Sequence, residues 1–169
     1  MTSGRSPQVD ELVGHNRTFA DRFHDADLQV EPTRRLAVVT CMDSRIDTFA
    51  VLGLQNGEAH IIRNAGGVIT DDVIRSLCLS QRFLGTNEIV LVHHTDCGLQ
   101  KVDEADFRRE LATELGIKPW WSLETFDDPY EDVRQSMKRL RLTPFVPHKE
   151  QVAGFVYDVT DGRLYPVDD

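Results

Sequence analysis

The feature that most constrains this chain is a series of short, uninterrupted apolar runs separated by segments with helical spacing. Three runs lie at 36–40, 59–62 and 88–92, and a fourth spans 152–159. Runs without polar alternation are typical of strands buried on both faces of a parallel sheet. Because helical segments join them, the sequence predicts an α/β fold with a mostly parallel sheet of about four strands.

The rest of the chain completes this architecture. The turn residues Asp161-Gly162 predict that a last strand, 164–167, runs antiparallel to the one before it. Capping residues and helical spacing predict flanking helices over residues 47–54, 71–84, 103–115 and 129–143. We expect one domain over 1–169, which begins with a helical arm, 1–35. The apolar stripe of that arm needs a surface to cover it, and a second subunit could supply one.

Composition excludes several classes of function. The net charge is −9 and the pI is about 5.1, so the surface repels phosphate backbones and nucleic acid is not an expected partner. The chain contains no apolar run near the roughly 20 residues that span a membrane, and it shows no secretory signal. Three widely spaced cysteines do not form a disulfide framework. We therefore expect a cytoplasmic protein that acts on a small molecule.

Three residues with metal-binding side chains follow two of the predicted strands. Cys41 ends the first strand, His94 ends the third, and Cys97 comes three residues later. Carboxyl ends of parallel strands share one edge of a sheet, where ligands bind. A lone cysteine in this position is usually a buried core residue, but two thiolates and an imidazole together suit zinc. Three protein ligands leave the fourth position open, which is typical of a catalytic zinc site.

Two charged residues after Cys41 bear on that fourth position. Asp43 could reach the metal, or Arg45 could hold its carboxylate in a bidentate pair. The two alternatives together would form a switch that opens or closes the site, although the pair could also be purely structural. Cys78 lies at helical spacing from Ile74 and we expect it in the core rather than at the metal.

The motifs Cys41-Met-Asp43-Ser-Arg45 and His94-Thr-Asp-Cys97-Gly98 resemble the zinc signature of the β-class carbonic anhydrases, in their short microbial branch. The resemblance covers about 36–98. It implies one zinc ion per chain on Cys41, His94 and Cys97, with Asp43 as an alternating fourth ligand that Arg45 holds off. It also implies that Gln55 hydrogen-bonds substrate and that the chain forms a homodimer or homotetramer.

The activity implied by this resemblance is the reversible hydration of carbon dioxide to bicarbonate by zinc-bound hydroxide. We expect it to rise on the alkaline side of neutrality, because Asp43 competes for the metal until hydroxide displaces it. A hydrolase of carbonyl sulfide or carbon disulfide could use the same scaffold and the same ligands. A non-catalytic zinc or redox-sensing protein is a third interpretation, and it would release zinc when Cys41 or Cys97 is oxidised.

Overall fold

The computed structural model describes residues 4–168, which form helices and strands in alternation. In chain order these are α1 (Pro7–Ala20), β1 (Leu36–Cys41), α2 (Thr48–Leu52), β2 (Ala59–Asn64), α3 (Asp71–Arg82), β3 (Glu88–His94), α4 (Glu104–Leu115), α5 (Pro129–Leu142), β4 (Val152–Tyr157) and β5 (Leu164–Val167). Single 3₁₀ turns follow β2 and β3, at Ala65–Gly67 and Gly98–Lys101.

The strands form one sheet in the order β2-β1-β3-β4-β5. The first four are parallel and β5 is antiparallel to β4, as the sequence predicts. The element ends differ by one or two residues. The strand predicted to reach Val159 ends at Tyr157, and the helix predicted to reach Leu84 ends at Arg82, just before the left-handed turn at Gly85.

Helices α3 and α5 cover one face of the sheet. Val39 and Leu91, at the sheet centre, are fully buried together with Leu77 of α3 and Leu140 of α5. Complete burial of such a side chain stabilises the fold by about 1.5–3 kcal/mol. This packing therefore holds in place β1 and β3, the two strands that carry the predicted site.

The opposite face is covered less completely. Val38 is fully buried beneath Leu54, which follows α2, but Ile61 and Val90 on the same side remain half-buried. Helix α1 buries none of its residues, and Leu12 and Phe19 are 61% and 56% exposed. The predicted helical arm therefore forms, but nothing within residues 4–168 covers Leu12 and Phe19.

The register of the sheet brings the two predicted motifs together. Thr40 pairs with Val92 across β1 and β3, so the residues that follow both strands emerge at the same edge. No helix within residues 4–168 is both long enough and apolar enough to cross a membrane.

Candidate metal centre and active site

The metal-binding side chains predicted from the sequence come together at this edge of the sheet. Cys41 is the last residue of β1, His94 is the last of β3, and Cys97 follows in the turn. Their two sulfur atoms and one imidazole nitrogen all lie within 4.8 Å of one another. All three side chains are buried from solvent. The geometry is that of a three-donor metal site.

His94 presents a free ring nitrogen to this cluster. Its Nδ1 lies 2.9 Å from the carbonyl oxygen of Thr95 and donates to it, since a carbonyl oxygen can only accept. Nε2 then carries the lone pair, and within residues 4–168 it is buried without a hydrogen-bond partner. A metal ion bound together with the two sulfurs would satisfy this acceptor. The donor set and the orphaned nitrogen therefore fit zinc.

The two cysteines are also prepared for a cation. The hydrogen bond from the Cys97 thiol lowers the pKa of Cys41 to about 4. The same hydrogen bond, together with burial, raises the pKa of Cys97. One of the two sulfurs is therefore a thiolate at neutral pH, and the thiolate is the form that binds metal.

Asp43 is paired with Arg45 in this structure. The Nε and Nη2 atoms of Arg45 donate to the two carboxylate oxygens at 3.0 and 2.8 Å, and its backbone N–H donates at 2.9 Å. These contacts hold the pKa of Asp43 well below its usual range. The carboxylate nevertheless lies 3.8 Å from Nε2 of His94, so it is next to the three donor atoms.

Arg63 is a site residue whose role the sequence analysis missed. From β2 its guanidinium donates to the carbonyl oxygens of Cys41 and Asp43, at 2.9 and 2.7 Å. These two bonds fix the backbone that carries a metal ligand and the competing carboxylate. The only signal in the sequence was its place before the Asn64-Ala-Gly-Gly segment, because a bond to a backbone carbonyl requires no particular partner side chain.

Two glycines let the turn after β2 approach the metal site. Both adopt left-handed backbone conformations, with φ of +79° at Gly66 and +74° at Gly67. A Cβ at Gly66 would lie 2.6 Å from the Leu99 side chain. At Gly67 it would lie 3.0 Å from backbone atoms of Thr40 and Cys41. The two glycines therefore form a tight turn at the rim of the site.

His93 contacts this turn and does not belong to the metal cluster. Its Nε2 is 3.0 Å from the carbonyl oxygen of Gly67, its ring stacks on Phe126, and its Nδ1 is 3.3 Å from Asp132. Burial lowers the pKa of His93 to about 4. Burial, with the nearby charge of Glu124, raises the pKa of Asp132 to about 6.

A cavity of about 270 Å³ opens onto the cysteines. Its lining is mainly apolar and includes Leu99, Val102, Phe107 and Leu123, which suits a small molecule of low polarity. A larger cavity of about 810 Å³ beside α4 shares none of these residues and contains no cysteine or histidine. The smaller cavity therefore carries the chemistry.

Two other residues singled out in the sequence lie outside this cavity. Gln55 follows α2, where its backbone N–H donates to Glu58 at 2.9 Å, and it is not among the described residues that line the cavity. Cys78 does not reach the metal cluster, but the prediction that it belongs to the core is wrong. It is half-buried and lines a surface cavity with Phe145, because α3 turns this side toward the end of α5.

Comparison with known proteins agrees with this site. The family model for carbonic anhydrases matches residues 36–164. Beta-carbonic anhydrase 1 of Mycobacterium tuberculosis is 49% identical over 159 residues, which cover 94% of this chain and 97% of the relative. A crystal structure of carbonic anhydrase from Streptococcus mutans superposes with a TM-score of 0.90 at 41% identity, over 97% of this chain and 99% of that one.

A second group of relatives carries a different name. A carbon disulfide hydrolase of Acidianus is 35% identical over 158 residues, which cover 78% of this chain and 76% of the relative. The carbon disulfide hydrolases are 31–35% identical to this chain, which is lower than the 49% identity of the mycobacterial protein. With its matched family model, its five-stranded sheet and its buried Cys-His-Cys cluster, this chain belongs to the β class of the carbonic anhydrase family.

Proposed function

We propose that this protein is a zinc carbonic anhydrase that interconverts carbon dioxide and bicarbonate. The observation that carries the proposal is the buried cluster of Cys41, His94 and Cys97, beside which Asp43 is held by Arg45. Three donors leave one position for a reacting molecule, and the adjoining apolar cavity admits a small neutral substrate. The 49% identity to a beta-carbonic anhydrase supports the same activity.

The residues of the chain divide the work. Cys41, His94 and Cys97 would hold zinc, which when bound supplies a hydroxide nucleophile near neutral pH. Asp43 takes one of two positions, on Arg45 or on the metal, and its position on Arg45 leaves the site open. The apolar lining excludes bulk water, so water does not compete with carbon dioxide for the space beside the metal.

This division of roles predicts a pH dependence. Hydroxide has to compete with Asp43 for the fourth position, so we expect activity to rise between pH 7 and pH 9. An activity that stays flat down to pH 6 would contradict the switch role of Asp43. Two thiolates also donate more charge to zinc than neutral imidazoles do, which makes the metal a weaker Lewis acid.

The test combines metal content with turnover. Zinc per chain is measured together with stopped-flow hydration of carbon dioxide at pH 7 and pH 9, for the wild type and for Cys97→Ser. We expect about one zinc per chain and turnover in the wild type, with both lost in the variant. Cys78→Ser is the matched control, since Cys78 does not reach the cluster and its replacement should retain metal and turnover.

Zinc without hydration at either pH would refute the proposed reaction. Turnover of carbonyl sulfide or carbon disulfide by that protein would then assign it to the hydrolases, whose relatives reach 35% identity. If no substrate is turned over and oxidation of Cys41 or Cys97 releases the metal, the protein would be a zinc-dependent redox sensor instead.

We further propose a homodimer or homotetramer in the cytoplasm. The support for assembly is α1, whose exposed Leu12 and Phe19 find no cover within residues 4–168. Gln55 does not line its own chain's cavity, so its expected hydrogen bond to substrate would be made in the cavity of a neighbouring subunit. Light scattering should give at least twice the 19.2 kDa chain mass, and Leu12→Glu should lower it. A monomeric wild type would refute the assembly.

A further inference from the structure

A chain of alternating charges leads from the metal site to the protein surface. Asp43 is bound by Arg45, Arg45 is bound by Asp96, and Asp96 is bound in turn by Lys101. The outer contacts are close. Nη1 of Arg45 lies 2.9 Å from the Asp96 carboxylate, and Nζ of Lys101 lies 2.6 Å from its other oxygen.

We propose that Asp96 is a positioning residue that locks Arg45 in the orientation that holds Asp43 off the metal, with Lys101 holding Asp96 in place. This inference deepens the proposed function and rests on it. It assigns the balance between the open and closed site to residues outside the metal ligands and outside the Asp43–Arg45 pair.

The hydrogen bonds of Arg45 show why two partners are needed. One edge of its planar guanidinium, Nε and Nη2, donates to Asp43. The adjacent edge, Nη1 and Nη2, donates to Asp96, from Nη1 to the carboxylate and from Nη2 to the backbone carbonyl oxygen at 2.9 Å. The guanidinium is thus held along two of its edges. An arginine that is 45% exposed would otherwise exchange among rotamers in water.

The backbone of Asp96 is set up for this contact. Its φ is +55°, in the left-handed region that is costly for residues other than glycine, asparagine and aspartate. This conformation presents both its carbonyl oxygen and its carboxylate to Arg45. A glycine would adopt the same turn with less strain, so the carboxylate is what aspartate adds at this position.

The opposite effect, in which Asp96 would draw Arg45 away from Asp43, is the weaker one. The two carboxylates bind different edges of the guanidinium and share no hydrogen. The two hydrogen bonds from Arg45 to the Asp43 carboxylate also have ordinary lengths, 2.8 and 3.0 Å. Loss of Asp96 should therefore loosen the Asp43–Arg45 pair rather than tighten it.

The test uses protein loaded with Co²⁺ in place of zinc, because the visible absorption of Co²⁺ reports its ligands. Asp96→Gly keeps the left-handed turn and removes the carboxylate. We expect the ratio of Asp43-bound to open metal to rise about threefold at pH 7.5, as suits the loss of a half-exposed ion pair. Asp43→Asn supplies the reference spectrum of a site without the carboxylate. Asp96→Asn, which keeps an acceptor, should shift the ratio less.

A second readout needs no metal. The Nε–H of Arg45 should show a lower NMR order parameter in metal-free Asp96→Gly than in the wild type, because the hydrogen bond from Nη1 to the Asp96 carboxylate is gone and only the bond to the backbone carbonyl remains. The control is Asp72→Asn, which breaks the exposed ion pair with Arg75 on α3 and should change neither readout.

Superimposable cobalt spectra and an unchanged Arg45 order parameter would overturn the assignment. So would a loss of stability or of metal with an unaltered spectrum, because that would make Asp96 a merely structural residue. Absence of carbon dioxide hydration by the wild-type zinc protein is a separate result. It would refute the proposed function, while the ratio of metal forms would still decide the role of Asp96.

Discussion

Replacement of Gly67 by alanine tests whether the turn after β2 is pressed against the metal-bearing end of β1. Gly67 has a φ of +74°, and an added Cβ would lie 3.0 Å from backbone atoms of Thr40 and Cys41. Backbone atoms cannot rotate aside as a side chain can, so the turn or the strand end has to shift. Gly85 offers a matched control, because its φ is also +74° and an added Cβ would meet nothing within 4 Å.

The magnitude follows from this difference in surroundings. In both alanine variants the left-handed backbone lowers the free energy of unfolding by about 1–2 kcal/mol. In Gly67→Ala, overpacking against the backbone of β1 lowers it by about 1–3 kcal/mol more. We therefore expect the free energy of unfolding of metal-free Gly67→Ala to fall about 1–3 kcal/mol below that of Gly85→Ala.

Urea unfolding of the metal-free protein measures this difference, and competition with a chelator measures the metal affinity of both variants. Gly67→Ala should also bind zinc more weakly, since the shift displaces Cys41, whereas Gly85→Ala should bind it as the wild type does. Equal destabilisation of the two variants, within about 0.5 kcal/mol, with equal zinc affinity would refute the close approach on which this reasoning depends.

Three further changes probe the surroundings of the site. Loss of the guanidinium in Arg63→Gln frees the carbonyl oxygen of Cys41 from its 2.9 Å bond, so zinc affinity should fall about 10–100-fold. The pKa of Asp132 is raised to about 6, so its contribution to stability is largest at low pH and is lost as the pH rises through 6. Metal-free Asp132→Asn should therefore gain stability relative to the wild type between pH 4 and pH 7 in urea titrations. Gly154→Ala would place a Cβ 2.7 Å from the sulfur of Met137 and should lower the free energy of unfolding by about 1–3 kcal/mol.

Each of these changes has its control. Arg75→Gln removes an exposed arginine from α3 and should leave zinc affinity unchanged. Asp106→Asn changes an exposed carboxylate on α4 and should show no comparable pH-dependent gain. Gly14→Ala, like Gly154→Ala, involves no positive φ, and its added Cβ meets nothing within 4 Å, so it should not lower the free energy of unfolding. If a test variant behaves like its control, the contact assigned to it contributes nothing.

The metal ligands could be predicted because parallel strands impose a geometric rule. Cys41 and His94 are 53 positions apart, yet each closes an apolar run, and the carboxyl ends of such runs meet at one sheet edge. Cys97 adds a donor at short range from His94. The rule needs only the strand pattern and the chemistry of the side chains, both of which are local features of the sequence.

The supporting contacts could not be predicted in the same way. Arg63 donates to backbone carbonyls, which every residue possesses. The contact between Asp96 and Arg45 depends on a left-handed turn, and an aspartate in the sequence does not by itself predict such a turn. The same limit applies to Cys78, whose distance from the core is set by the relative placement of α3 and α5 rather than by the helical spacing of the residues around it.

Strand β5 has a consequence for how the protein behaves at high concentration. It closes one side of the sheet and places Pro166 opposite Phe155 of β4. Proline has no N–H, so the outer side of β5 cannot offer a continuous ladder of donors to another strand. The missing donor interrupts pairing with a further strand on this side of the sheet, which protects the folded chain from edge-to-edge aggregation.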